Sequence, residues 1–191
     1  MTKGQTMHKG LTFLMPTPVE EYAMTIVTTR STYWSLHSHS RFSVNDALPS
    51  VEVMVAKAVE LGYPALGLTD HGSVSGSVNL YTECRKVGIE PLPGIELYVV
   101  PDSEYAGRAD NMHLTLNAYS EVGYRNLMHL ATLTQRRFWY KPRIGFADFA
   151  LMAENGETAG LSVATGCYFG VLHQVLMRQG PAAARKVAET L

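Results

Sequence analysis

Short apolar runs alternate with amphipathic segments along the chain from Thr32 onward. Five apolar runs predict strands, at 33–36, 65–69, 95–100, 113–118 and 161–165. Apolar residues at helical spacing predict helices at 50–61, 78–87, 121–135, 146–153, 171–177 and 181–191. Because the two kinds of element alternate, the pattern predicts an α/β fold with parallel strands and crossover helices.

The candidate chemistry should lie where these strands end. A run such as Ala65-Leu66-Gly67-Leu68 does not alternate apolar with polar residues, which is typical of a strand covered on both faces. In folds of this class, binding and catalytic side chains gather at the carboxyl edge of the sheet. We therefore expect functional residues at the strand ends.

Composition and charge narrow the classes of function. The chain has 191 residues, 46% of them hydrophobic and 17% charged, with a formal net charge of −1. These values exclude a disordered, highly charged chain and binding of nucleic acid through bulk positive charge. The two cysteines are too few for a disulfide scaffold, and no apolar run approaches the roughly 18 residues of a membrane span. We expect a reducing, cytoplasmic compartment and no membrane partner.

The length predicts one domain with a short appendage. Residues 1–31 contain only a weak apolar stretch, stopped by Pro16, and are expected to be a poorly ordered N-terminal appendage. Residues 32–191 are expected to form the domain.

Several metal-ligating side chains occur at the predicted strand ends. The spacing of His37 and His39 places both imidazoles on one side of an extended backbone. The other candidates follow or begin later strands: Asp46, His71, Glu96, His113 and Cys167. Each one alone is more simply a core histidine, a turn carboxylate or a small buried thiol. Chance is a poor explanation for seven such residues near strand ends, so we expect a metal site.

The ligand types restrict the metal. Imidazoles, carboxylates and one thiolate suit zinc, with manganese and iron as competitors. Seven ligands exceed one tetrahedral site, so two or three divalent metals are expected, with Glu96 as the candidate shared carboxylate. Such a cluster is typical of phosphoester hydrolysis.

Further motifs accompany these residues: Leu36-His37-Ser38-His39-Ser40, Phe42-Ser43, Ala65 to Gly72, Pro93-Gly94-Ile95-Glu96-Leu97-Tyr98, His113-Leu114, Gly123-Tyr124-Arg125-Asn126-Leu127, Lys141-Pro142-Arg143-Ile144 and Gly160 to Cys167. With them, the chain resembles the PHP (polymerase and histidinol phosphatase) superfamily from about Tyr33 to its end. More narrowly, it looks like the N-terminal PHP domain of bacterial DNA polymerase III alpha subunits.

The resemblance implies a distorted (β/α)7 barrel with a trinuclear metal site. By the same resemblance, His37, His39 and Glu96 would hold the first metal, and Glu96, His113 and Cys167 the second. Asp46 and His71 would belong to the third. The residues implied in catalysis are His37, His39, Glu96 and His113, and the implied activity is 3′–5′ exonuclease proofreading on DNA.

The chain departs from the family pattern at its end. The family's last ligands form an Asp-x-His pair beyond the cysteine, and the sequence contains no such pair before Leu191. We therefore expect a barrel that is incomplete at its C-terminal end. The remaining polymerase polypeptide, or another chain that completes the barrel, is an expected partner.

Two further residues are candidates for supporting roles. Asp70 precedes a ligand and is expected to orient an imidazole. Arg143 lies in a segment, 136–143, that interleaves basic and aromatic residues and is expected to bind a phosphate. The same segment is equally well a surface loop whose rings pack onto the barrel.

Three functions remain open from the sequence. The first is a metal-dependent phosphoesterase module of a replicative DNA polymerase, acting on DNA 3′ ends through local contacts. The second is an inactive, structural or partner-binding PHP domain. The third is a small-molecule phosphatase that resembles histidinol-phosphate phosphatase.

Overall fold

The computed structural model describes residues 33–101 and 111–191, so the predicted appendage lies outside the described residues. In these two ranges the helices are α1 (Val51–Glu60), α2 (Ser77–Val87), α3 (Glu121–Arg136), α4 (Phe146–Glu154), α5 (Val171–Gln179) and α6 (Pro181–Thr190). The strands are β1 (Ala65–Leu68), β2 (Glu90–Val100), β3 (Met112–Ala118), β4 (Arg143–Gly145) and β5 (Leu161–Ala164). The predicted α/β class is confirmed, while the (β/α)7 barrel stays a prediction.

The strands form one mixed sheet in the order β1-β2-β3-β5, with β4 paired to β2. The pairs β1–β2 and β2–β4 are parallel, but β3 runs antiparallel to both β2 and β5. The prediction of parallel pairing throughout is therefore wrong at β3. The connection from β2 to β3 spans only residues 101–111, and a parallel crossover needs about a dozen residues or more.

The reversed direction of β3 brings its first residues to the functional edge of the sheet. His113, near the start of β3, pairs with Tyr98, near the end of β2. A parallel β3 would have placed His113 at the opposite edge. The antiparallel pairing therefore lets a residue that opens a strand meet residues that close other strands.

Two short elements differ from the sequence prediction. The run 33–36 is not a regular strand, because only Ser35 forms a bridge, to Leu66 of β1. The segment still follows β1, since the Gly67 N–H donates to the Ser35 carbonyl at 2.7 Å. Strand β4 was not predicted, because three residues are too short for a periodic signal.

Two apolar clusters hold the sheet and helices together. One lies between β1, α1 and α2 and includes Leu66, Leu68 and Leu80. The other surrounds β2 and β3 and includes the fully buried Ile95 and Leu97. Strand β2 is thereby anchored by residues on either side of Glu96.

Throughout the two described ranges, the helices are too short or too polar to cross a membrane.

Helix α3 approaches the loop before β5 through a glycine. A Cβ added to Gly123 would lie 1.9 Å from the carbonyl oxygen of Gly160 and 2.5 Å from its carbonyl carbon. Both are backbone atoms, so no side-chain rotation can relieve the contact. Only a residue without a Cβ allows α3 to pack this closely.

We predict that Gly123→Ala destabilises the protein by about 1–3 kcal/mol, as overpacking does. Higher helix propensity alone would stabilise the variant by about 1 kcal/mol, so the steric contact decides the sign. Urea denaturation measures the change. Gly88→Ala is the matched control, because its φ is +75° but nothing lies within 4 Å. It should lose only the roughly 1–2 kcal/mol of a left-handed residue. Wild-type stability of Gly123→Ala would contradict the close contact.

Candidate metal centre

Glu96 lies at the middle of a cluster of imidazoles. Glu96 lies on strand β2, and only 1% of its surface is exposed. Its Oε2 is 2.7 Å from His37 Nε2. Its Oε1 is 2.8 Å from the Nδ1 atoms of both His71 and His113. One buried carboxylate therefore joins three histidines that lie far apart in the sequence.

The His37–Ser38–His39 segment places two imidazoles together. The Nε2 atoms of His37 and His39 are 3.1 Å apart, and His39 Nε2 is 3.7 Å from Glu96 Oε2. The segment is fixed to β1 because the Thr69 N–H donates to the Ser38 carbonyl at 2.8 Å. The ligand atoms of His37, His39 and Glu96 all lie within 4.8 Å of one another.

A second group of ligand atoms adjoins the first. His39, Asp46 and His71 also place ligand atoms within 4.8 Å of one another. His71 Nε2 is 3.0 Å from Asp46 Oδ2. Asp46 follows Asn45, whose φ of 71° turns the loop. The resemblance implied Asp46 and His71 for one metal, and the structure adds His39 to this group.

Cys167 lies on the other side of the cluster. Its Sγ is 3.6 Å from His113 Nδ1, and its side chain is exposed. Gly166, with a φ of +76°, turns the chain after β5 immediately before the cysteine. Glu96 therefore contacts His113, and His113 in turn contacts Cys167.

The donor atoms fit a divalent metal. His71 Nδ1 and Glu96 Oε1 are buried and have no hydrogen-bond partner among residues 33–101 and 111–191, although they lie 2.8 Å apart. Buried polar atoms without a hydrogen bond require another partner, and a bound divalent cation would supply one. Tetrahedral ligands at about 2.0–2.1 Å from zinc are roughly 3.3 Å apart. The observed separations of 2.7 and 3.7 Å from Glu96 Oε2 to the two neighbouring imidazoles bracket that value.

The pKa shifts of Glu96 and His39 favour the protonation states in which these two groups bind metals. Burial alone would raise the pKa of Glu96, but the surrounding imidazoles hold it well below its usual range. Burial lowers the pKa of His39, and the neighbouring His71 lowers it further. The contact with Glu96 instead raises the pKa of His71. An ionised carboxylate and a neutral imidazole are the forms that bind metals.

Asp70 acts through a serine rather than directly on an imidazole. Its carboxylate is buried and accepts from the Ser40 backbone N–H at 2.7 Å and from the Ser40 and Ser43 hydroxyls at 2.9 and 2.7 Å. Because the Ser43 proton is directed to Asp70, the Ser43 oxygen accepts from His39 Nδ1 at 3.2 Å. This fixes the His39 tautomer that leaves Nε2 unprotonated. Ser43 belongs to the Phe42-Ser43 motif, but its position four residues after His39 in the sequence does not indicate this role.

Arg143 and Lys141, both in the segment 136–143, lie in different surroundings. Arg143 is 3% exposed, and its guanidinium carbon lies 5.2 Å from the centre of the Trp139 ring. Its phosphate-binding role stays a prediction, since it is absent from the lining of the cleft over the cluster. Lys141 does line that cleft, with its ammonium 4.1 Å from the centre of the Tyr98 ring. Burial raises the pKa of Tyr98.

The remaining histidines lie elsewhere. His129 is on α3, 3.9 Å from Glu157, and more than half of its side chain is exposed. His173 packs against the Tyr168 ring, with centroids 4.8 Å apart. His8 lies outside the described residues. The predicted ligands instead share one open cleft of about 530 Å³, lined by His37, His39, Val44, Asn45, Asp46, His71, Glu96, Tyr98, His113, Lys141 and Cys167.

Comparisons with known proteins agree with the motifs. Residues 35–191 match the model of the PHP domain family. The chain is 42% identical over 142 residues to a DNA polymerase III subunit alpha from Chlamydia pneumoniae, which covers 71% of this chain and 11% of that protein. It is 37% identical over 147 residues to the same subunit from Aquifex aeolicus, with 71% and 12% covered. The chain thus spans about an eighth of the length of these curated relatives.

Similarity to a solved structure is weaker. An amidohydrolase from Chromobacterium violaceum superposes with a TM-score of 0.41 at 18% identity, covering 82% of this chain and 54% of that one.

We predict that Zn²⁺ raises the melting temperature of the wild-type protein, because a ligand that binds the native state stabilises it. The effect is about 2.7 kcal/mol at a hundred times the Kd. In Glu96→Gln most of this metal-induced shift should be lost, since the amide cannot join the imidazoles as a charged ligand. Thermal unfolding with and without metal measures it. His129→Ala is the control and should keep the full shift; a full shift in Glu96→Gln would contradict a centre built on this carboxylate.

We predict that Ser43→Ala weakens Zn²⁺ binding about 10–100-fold, as the loss of a residue that orients a metal ligand does. Isothermal titration calorimetry measures the affinity. Ser75→Ala is the matched control, because its exposed hydroxyl forms a hydrogen bond with the Ser73 hydroxyl and, among the described residues, with no group of the metal centre. Equal affinities of wild type and Ser43→Ala would show that the Asp70–Ser43 pair does not orient His39.

Proposed function

The chain belongs to the PHP domain family, and we propose that it is the metal-dependent phosphoesterase module of a replicative polymerase of the DNA polymerase III alpha type, acting on DNA 3′ ends. The observation that carries the proposal is the convergence of imidazole, carboxylate and thiol groups around Glu96. The identity to DNA polymerase III alpha subunits supports the choice of DNA as the substrate.

Two or three divalent metals, zinc or manganese with iron as a competitor, are proposed for this cluster. His37, His39 and Glu96 would hold one, and Asp46 and His71, whose facing atoms lie 3.0 Å apart, would hold a second. Glu96, His113 and Cys167 would hold the third. Bound divalent metals lower the pKa of water and stabilise negative charge on phosphoryl oxygens, which is the chemistry that phosphoester hydrolysis needs.

The residues of the chain prepare the cleft for a phosphodiester. Glu96 keeps the imidazoles turned toward one point, and Ser43 keeps His39 in the metal-binding tautomer. Lys141 places a positive charge at the edge of the same cleft. There it attracts the anionic DNA backbone and stabilises the negative charge that develops on the phosphate during bond cleavage.

The partners follow from the same proposal. A chain with a formal net charge of −1 meets DNA through this local site rather than through bulk attraction. The remaining polymerase polypeptide, or a chain that completes a PHP barrel, is the proposed protein partner, and the cytoplasm is the proposed compartment.

We predict that the protein with Mn²⁺ or Zn²⁺ releases nucleotides from the 3′ end of a 5′-labelled single-stranded DNA. Gel electrophoresis of the products measures the rate. Glu96→Gln should lose more than the roughly 10–100-fold that removal of an outer residue costs, because it removes the central ligand. His129→Ala should keep the wild-type rate.

Other outcomes would select the alternatives. A protein that binds metal and is stabilised by it, but cleaves no strand, is a structural PHP domain. Turnover of histidinol phosphate without cleavage of DNA would identify a small-molecule phosphatase.

A further inference from the structure

A second cleft of about 530 Å³ adjoins the metal centre. It shares His113 and Lys141 with the cleft over the cluster. We call it the flanking cleft; it is lined by Asn111, Met112, His113, Lys141, Tyr168, Phe169, Gln174 and Arg178. The two clefts therefore adjoin at His113 and Lys141, so a ligand at the metal centre lies next to the flanking cleft.

Two exposed aromatic rings form one wall of the flanking cleft. Tyr168 and Phe169 are 67% and 56% exposed, and their rings meet edge to face with centroids 5.4 Å apart. Isolated exposed rings need no explanation, but two adjacent ones beside a candidate active site offer a stacking surface.

The backbone holds this pair of rings in place. The Phe169 carbonyl accepts from the His113 N–H at 2.8 Å. The Tyr168 carbonyl accepts from the buried Gln174 side chain, also at 2.8 Å. Gly170 allows the tight turn that follows, because a Cβ there would lie 1.8 Å from the Thr165 carbonyl oxygen. The rings are thus presented on a fixed turn that is tied to a candidate metal ligand.

The lining of the flanking cleft includes two basic residues, although the chain as a whole has no excess of positive charge. Lys141 and Arg178 line it, and none of its eight lining residues is acidic. The chain as a whole has a formal net charge of −1. An anionic ligand with a flat, apolar part matches this combination, whereas an acidic peptide would leave the rings without a stacking partner.

We propose that the flanking cleft binds the unpaired base of a DNA strand next to the phosphate held at the metal centre, with the base stacked on the Phe169 ring and in edge contact with the Tyr168 ring. The ring of Phe169 lies 5.7 Å from that of His113, so the stacking surface directly borders the metal centre. Lys141, which lines both clefts, meets the phosphate next to the base. The inference rests on the proposed function and specifies its substrate: a single-stranded end, since a paired base is not free to stack on the protein.

The test compares strands with and without bases. Fluorescence anisotropy is measured with Zn²⁺ and a single-stranded oligothymidylate whose linkages are nuclease-resistant phosphorothioates. A matched strand has abasic sugars at its 3′ end. Wild type should bind the base-bearing strand roughly 5- to 100-fold more tightly, as expected for one stacked base. Phe169→Ala and Tyr168→Ala should each reduce this preference, and Phe169→Trp should keep it.

Tyr119→Ala is the matched control. Tyr119 is 66% exposed, almost as much as Tyr168, but lines a different cleft beside α2 and the start of β2. Its loss should leave the preference for bases unchanged. The measured quantity is the ratio of the affinities for the base-bearing and abasic strands. A general loss of folding would weaken the binding of both strands and would not selectively remove the preference for bases.

Two results would overturn the inference. One is equal affinity of the wild-type protein for the base-bearing and abasic strands. The other is equally tight binding of a fully paired duplex end. Failure of the proposed function is distinguishable from failure of this inference. The first would appear as a phosphodiester strand that stays intact after incubation with the protein and metal. The second would appear as a lost base preference, which is measured on strands that are not cleaved.

Discussion

Glu96 carries a carboxylate on a strand whose adjacent residues, Ile95 and Leu97, are completely buried. A buried charge costs several kcal/mol unless neighbouring groups compensate it. Here the compensation comes from imidazoles on three other segments, at 2.7 to 2.8 Å. The core fixes the position of the carboxylate, and the carboxylate in turn fixes the loops that carry the histidines. The candidate metal centre is therefore part of what holds this edge of the sheet together.

The loops around this carboxylate are themselves supported by buried polar contacts. Asp70, directly after β1, accepts hydrogen bonds from Ser40 and Ser43, which lie on both sides of the turn that follows His39. A buried polar group without such partners would be destabilising, so the serines and the aspartate stabilise the fold together. The same contacts orient His39. Structural support and ligand orientation are thus provided by one network.

The surface around the centre has two parts with different chemistry. Over Glu96 the cleft offers ligand atoms for metals, and beside His113 it offers exposed rings and basic groups. Lys141 borders both parts. A phosphate with an attached unpaired base carries the complementary features in the same order, a charged centre followed by a flat apolar ring. The proposed recognition of a nucleic acid is therefore local and needs no positive net charge.

Periodicity determined the helices and most strands, because it reports which face of each element is apolar. The motifs determined the family, and the positions of His37, Glu96 and His113 near the ends of predicted strands identified the candidate ligands. Sequence did not determine the direction of β3, since pairing depends on a distant strand and on the length of a connection. It also favoured Arg143 over Lys141, although Arg143 is buried against Trp139 and Lys141 lines the cleft. Local patterns specify which residues can perform chemistry, whereas only the packing of distant segments decides which side chains meet.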